Sequence, residues 1–210
     1  MNYLLPLIAV ILGYILALVI QPKKKSNLKL LLAFSGSFLL SVTVISLLPE
    51  VYETKNTTIG LYIMLGILFQ IILEFFSKGA EHGHVHGHQT ITHIPWLLFI
   101  SLCIHALLEG FPVGHHHDLS IGIAIHHLPI AIILTTFFVQ AQLNKKAIFA
   151  FMITFAMMTP LGTLASNYIP GLQEYTTEIT AIVIGILFHI SSTIIFESSE
   201  GHKFNVAKVS

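Results

Sequence analysis

The chain has 210 residues, with ten lysines, no arginine, ten acidic residues and a formal net charge of zero. Hydrophobic residues make up 54% and charged residues 10%, where a soluble domain carries roughly 25% charged, and the mean hydropathy is +0.82. These figures exclude a soluble enzyme with a mere anchor, and neutrality argues against nucleic acid as a partner. The lack of arginine removes any guanidinium fork for phosphate or carboxylate substrates, and the single Cys103 excludes an internal disulfide or a Cys-built zinc cage.

A membrane-spanning helix needs about 20 mostly apolar residues. Seven such runs are predicted, over residues 3–21, 28–49, 58–77, 94–113, 119–140, 146–167 and 176–196. The fold class is therefore all-α, a polytopic transmembrane helix bundle, with residues 1–210 as a single domain. The first run lacks a basic leader and a small-residue cleavage pattern before QPKKK, so it reads as a retained helix rather than a signal peptide. The second run leaves the apolar region at LLPE, with Pro49 and Glu50 marking its exit. The third ends at Glu74 to Lys78 and feeds the low-complexity stretch GAEHGHVHGHQTITH.

Lysines set the expected orientation, because cytoplasmic loops carry the excess of basic residues. Lys23, Lys24, Lys25, Lys29, Lys78, Lys145, Lys146, Lys203 and Lys208 fall on one side if the helices simply alternate, and only Lys55 falls on the other. The N-terminus is then outside and the His-rich loop of residues 79–93 cytosolic, while His115, His116, His117 and Asp118 face outside. An odd number of spans leaves the C-terminus inside, where EGHKFNVAKVS follows the last helix.

Ser101 to Ala131, SLCIHALLEGFPVGHHHDLSIGIAIHHLPIA, concentrates the chemistry. His105 and Glu109 stand four apart and share a helical face. His126 and His127 precede Pro129, which removes a backbone donor and loosens the helix. Ionisable groups at membrane depth are costly and mark substrate or ion paths. Imidazole and carboxylate suit zinc and neighbouring divalent metals. His105, Glu109 and His126 are the expected ligands; His127 is either a fourth ligand or a hydrogen-bonding neighbour, since adjacent helical residues point about 100° apart. His82, His84, His86 and His88 alternate with small residues and read as a flexible metal-collecting tract, or as a solvated linker. His115, His116, His117 and Asp118 either attract incoming cations or form a hydrophilic turn. The runs GSFLLSVTVISLLPE and GILFHISSTIIFESSE echo each other as an internal repeat would, or by shared span-end chemistry. Within the second, His189 reads as a hydrogen-bonded packing residue before a ligand.

These residues together resemble the ZIP (Zrt/Irt-like) metal-ion transporters. The resemblance rests on HALLEG (His105 to Gly110), HHLPIA (His126 to Ala131), LAFSGSFLLSVTVISLLPE, the TPLG of Thr159 to Gly162, and the His-rich loop after the third span. It implies eight helices with both termini outside, so the chain is expected to lack the last helix. It also implies movement of Zn²⁺, or of Fe²⁺, Mn²⁺ or Cd²⁺, into the cytosol, in a lipid bilayer, with a homodimer as one arrangement and the metal as cargo rather than cofactor. The chain departs from the family's paired site at Ala106, His127, Ile130, Ala131 and Thr159, which implies one intramembrane ion rather than two. Two other classes stand beside transport: a non-transporting metal sensor or degenerate member, and an intramembrane zinc hydrolase. The hydrolase needs a general base apart from its ligands, and Glu109 is the one acid near the histidines, so the chain is not expected to be an enzyme.

Overall fold

The computed structural model describes residues 3–20, 25–77, 94–114 and 116–199. Among them the chain forms helices α1 (Leu4–Ile20) and α2 (Lys25–Val42), a π-helical turn (Thr43–Leu47), α3 (Leu48–Glu53), α4 (Ile59–Ser77) and α5 (Trp96–Val113). There follow α6 (His117–Gln140), α7 (Lys145–Tyr168), a 3-10 turn (Leu172–Tyr175) and α8 (Thr176–Ser199), with no strand among the described residues. Helix α2, the π turn and α3 run on as one rod, so each of the seven expected spans meets a helix. Six of these are long and apolar enough to cross a membrane. Helix α1, with 17 residues, rises about 25 Å at 1.5 Å per residue and falls short of a hydrocarbon core of about 30 Å. The chain is thus an all-α polytopic bundle. The His-rich tract with His82, His84, His86 and His88, together with His115 and the stretch beyond Ser199, lies outside the described residues.

The most extensive helix pairs are α1 with α6, α5 with α7, and α4 with α8. Two of these pairs close on glycine. The Cα atoms of Gly66 and Gly185 face each other where α4 meets α8, and a Cβ on either would strike the partner's backbone carbonyl. Gly110 and Gly162 do the same where α5 meets α7. Absent side chains let backbones approach and maximise dispersion contact, the main driving force between helices in lipid.

Contacts along each pair give its direction. Between α5 and α7, Phe99 meets Phe151 (ring centroids 4.8 Å apart), Gly110 meets Gly162 further on, and Gly114 lies by Asn167. Between α4 and α8, Asn56 before the first helix reaches Glu178, Gly66 meets Gly185, and Glu74 touches His189. Both pairs are parallel, as helices an even number of spans apart in a simple up-down chain must be. Gly36 of α2 packs on Ile194 near the far end of α8. The start of α2 with Lys29, the start of α7 with Lys145 and Lys146, and the end of α8 therefore lie at one end of the bundle, and Lys55 at the other.

Helix α6 is buried nearly all round, whereas α1, α2 and α7 each leave an apolar face outside. A helix with no polar face belongs in the interior. It is the axis against which α1, α2, α5 and α7 pack.

Candidate metal centre

Helix α5 buries Ser101, Leu102, His105, Ala106, Glu109, Gly110 and Val113. That sequence of three- and four-residue steps is one stripe of a helix, and it carries His105 and Glu109 inward one turn apart. From α6, His126 and His127 are both buried near the middle of the helix. Glu109 is wholly inaccessible, and His105, His126 and His127 are at most 2% exposed.

The carboxylate of Glu109 stands between two imidazoles from two helices. His105 Nε2 lies 3.1 Å from Oε1, and His127 Nε2–H donates to Oε2 at 3.1 Å. Oε1 makes no hydrogen bond among the described residues despite its closeness to His105. The His127 ring packs tilted on Phe155 of α7 at 5.2 Å, and His126 lies beside it with ring centroids 5.9 Å apart. His127 thus meets Glu109 as the hydrogen-bonding neighbour that was one of its two expected roles.

Helix α7 closes the third side. Thr159 is buried with its Oγ1 unbonded among the described residues, and its carbonyl packs on Gly110. One turn on, Thr163 Oγ1 donates to the carbonyl of Gly110 at 2.7 Å. Ala106, Ile130 and Ala131 are buried and offer no donor. Pro112, Pro129 and Pro160 all lie inside their helices. Each withholds the N–H that would bond the carbonyl four residues earlier, at Leu108, Ile125 and Ala156. Two of these carbonyls flank Glu109 and His126 in sequence.

These donors suit a divalent ion. Two ligands on a tetrahedral ion with bonds of roughly 2.0–2.1 Å sit about 3.3 Å apart, close to the two 3.1 Å separations at Glu109. The three side chains now face one another rather than a common point, and no described group of three or more His, Cys, Asp or Glu residues forms a preset metal cage. An ion would enter by taking the place of the Nε2–H proton between imidazole and carboxylate.

The chain is similar, over part of its length, to two proteins. A stretch of 110 residues is 25% identical to "Zinc transporter ZIP1" of Danio rerio, over 41% of this chain and 36% of that protein. Another of 127 residues is 27% identical to "Protein zntD" of Dictyostelium discoideum, over 52% of this chain and 19% of that protein. The chain thus spans about a third and about a fifth of these relatives. No protein-family model matches it, and no solved structure matches it.

The other sequence candidates lie apart from this centre. His116 Nε2 sits 3.3 Å from Glu50 Oε2, joining the start of α6 to α3 at the bundle end away from Lys145. His117 and Asp118 are exposed in the first turn of α6. One pairing was not read from the sequence: Glu74 of α4 and His189 of α8 are in direct contact. The available cue was that each is an ionisable residue inside an otherwise apolar run, and such residues seek each other.

Proposed function

We propose that this chain is a ZIP-like carrier that moves a divalent metal ion, zinc foremost, through the membrane by way of Glu109, His105, His127 and His126. The observation that carries this reading is Glu109, a fully buried carboxylate of a membrane-crossing helix, flanked by imidazoles from α5 and α6. No lysine lies in the middle of any span and the chain has no arginine, so the natural counter-ion is a soluble cation. The similarity to a zinc transporter supports the choice of metal. One carboxylate with neutral imidazoles offsets about half of a divalent charge, which favours binding loose enough to release, as conduction requires. Fe²⁺, Mn²⁺ and Cd²⁺ accept the same donors. The lysine-bearing end is the cytosolic end by the positive-inside rule, and the resemblance to ZIP carriers implies inward movement toward it.

The engaged state of Glu109 favours a second reading, a metal-binding sensor without flux. Uptake of radioactive zinc into sealed proteoliposomes separates the two. Wild-type protein is expected to load the vesicles and Glu109→Gln to reduce loading to the protein-free level. Equal uptake by both overturns the site, and metal binding with no uptake by either selects the sensor. A hydrolase is disfavoured because Glu109, lying between both imidazoles as a ligand, would leave no separate base beside them.

A further inference from the structure

Helices α4 and α8 carry a second group of polar side chains that the proposed carrier site does not use. Glu74 and His189 meet across the parallel pair, partly exposed at 28% and 20%. One turn before Glu74 on α4, Gln70 is wholly buried, and both its amide oxygen and its amide nitrogen lack a partner among the described residues. Gln70 continues the buried stripe of Ile59, Ile63 and Gly66, the stripe that meets α8 at Gly185. Two turns beyond His189 on the same face of α8 stands the partly buried Glu197.

A packing interface has no use for this set. Burying an amide with both ends unbonded is costly, and natural proteins carry few such groups. An imidazole, a carboxylate and an amide oxygen are all ligands for borderline divalent metals. Their place matters too. Since α4 runs parallel to α8 and ends with it, Glu74 and Glu197 lie toward the same bundle end as Lys145 and Lys146, beyond the level of Gly66 and Gly185. Helix α5, bearing His105 and Glu109, packs directly on both α4 and α8.

We propose that Glu74, His189 and the side-chain carbonyl of Gln70 form a second binding station for a divalent cation, between α4 and α8. It lies on the lysine-bearing side of the Glu109 centre. Its role as the stop before release rests on the carrier reading above; its ability to bind a metal does not. Glu197, further along the same face, gives the ion its next oxygen donor on the way out.

The test uses Cd²⁺ and the full chain in detergent, with His82, His84, His86, His88, His115, His116 and His117 replaced by Asn to remove other imidazole clusters. Equilibrium dialysis on this background is expected to give two ions per chain. Combining His105→Ala, Glu109→Gln and His127→Ala is expected to leave one ion, and adding Glu74→Gln with His189→Gln to leave none. Glu74→Gln with His189→Gln alone is expected to leave one. If the central triple variant binds no Cd²⁺ while the Glu74/His189 variant still binds one, the second station is overturned and the central site stands. The reverse pattern overturns the central site and leaves this station in place. A spectroscopic arm guards against misfolding: His189→Cys with Cys103→Ser should develop the ultraviolet Cd–thiolate absorption on adding Cd²⁺, and Glu74→Gln should weaken it. A correctly folded His189→Cys protein with no such band overturns the proposal.

Discussion

Glu109 and His127 hold each other in place through a charge-assisted bond inside the membrane, and each loses its reason for burial without the other. His127→Ala is accordingly expected to reduce zinc uptake at least as far as His105→Ala does, measured in proteoliposomes. It should also lower stability by about 1–3 kcal/mol, the cost of leaving a buried polar group unsatisfied, read as an earlier thermal unfolding in detergent. His126→Ala tests the other histidine, and a larger loss there than at His127 would return the ligand role to His126. The sequence showed that α5 and α6 would bring these four residues to membrane depth. It could not show which of two adjacent histidines would meet Glu109. That choice depends on the rotation of α6 about its axis, and a helix buried nearly all round carries no polar stripe to reveal it.

At the scale of helices, the glycine contacts decide what can change. A methyl group at Gly110 would meet the Thr159 carbonyl, and one at Gly162 would meet that of Leu107. Neither backbone can retreat without breaking the bond from Thr163 to Gly110. Gly162→Val should therefore cost several times the effect of Gly60→Val, whose only neighbour is the tip of Tyr52. Overpacking of this kind costs about 1–3 kcal/mol or more. Chemical unfolding in mixed micelles provides the comparison. Helix boundaries were legible from hydropathy: the runs predicted over 58–77 and 146–167 match Ile59–Ser77 and Lys145–Tyr168 closely. The echo between the second and last spans gave no hint that the last span would pair in parallel with α4. Such pairing is set by where small residues face each other, and Gly66 and Gly185 are separated by more than half the chain.

For the whole molecule, the lysines and the helix directions make one joint statement that labelling can test. Thr57 lies in the turn beside Lys55, and Gln142 in the turn before Lys145; both are exposed. With Cys103 replaced, a membrane-impermeant thiol reagent applied to intact cells is expected to label Thr57→Cys and to spare Gln142→Cys until the cells are opened. Labelling of Gln142→Cys alone would reverse the orientation. Charge placement made the two ends of the bundle distinguishable in the sequence. The packing between them was not legible, because α2 and α4 meet α6 and α5 largely through apolar side chains with no pairing code.

The π turn at Thr43–Leu47 holds one residue more than an α-helix would need to cover that stretch. Such a surplus is a reserve of register. Removing the outward-facing Ile45, which is 74% exposed, should let α2 and α3 fuse into an uninterrupted α-helix at little cost in packing. Deleting one residue from a regular α-helix turns one side of it by about 100° relative to the other, but here the surplus residue absorbs that turn. Glu50 should keep its place beside His116, so the tie between α3 and the start of α6 survives the deletion. A single codon lost here would then leave the latch at the outer rim, and Glu109 with its histidines, where they are, whereas one lost from the regular part of α2 would not.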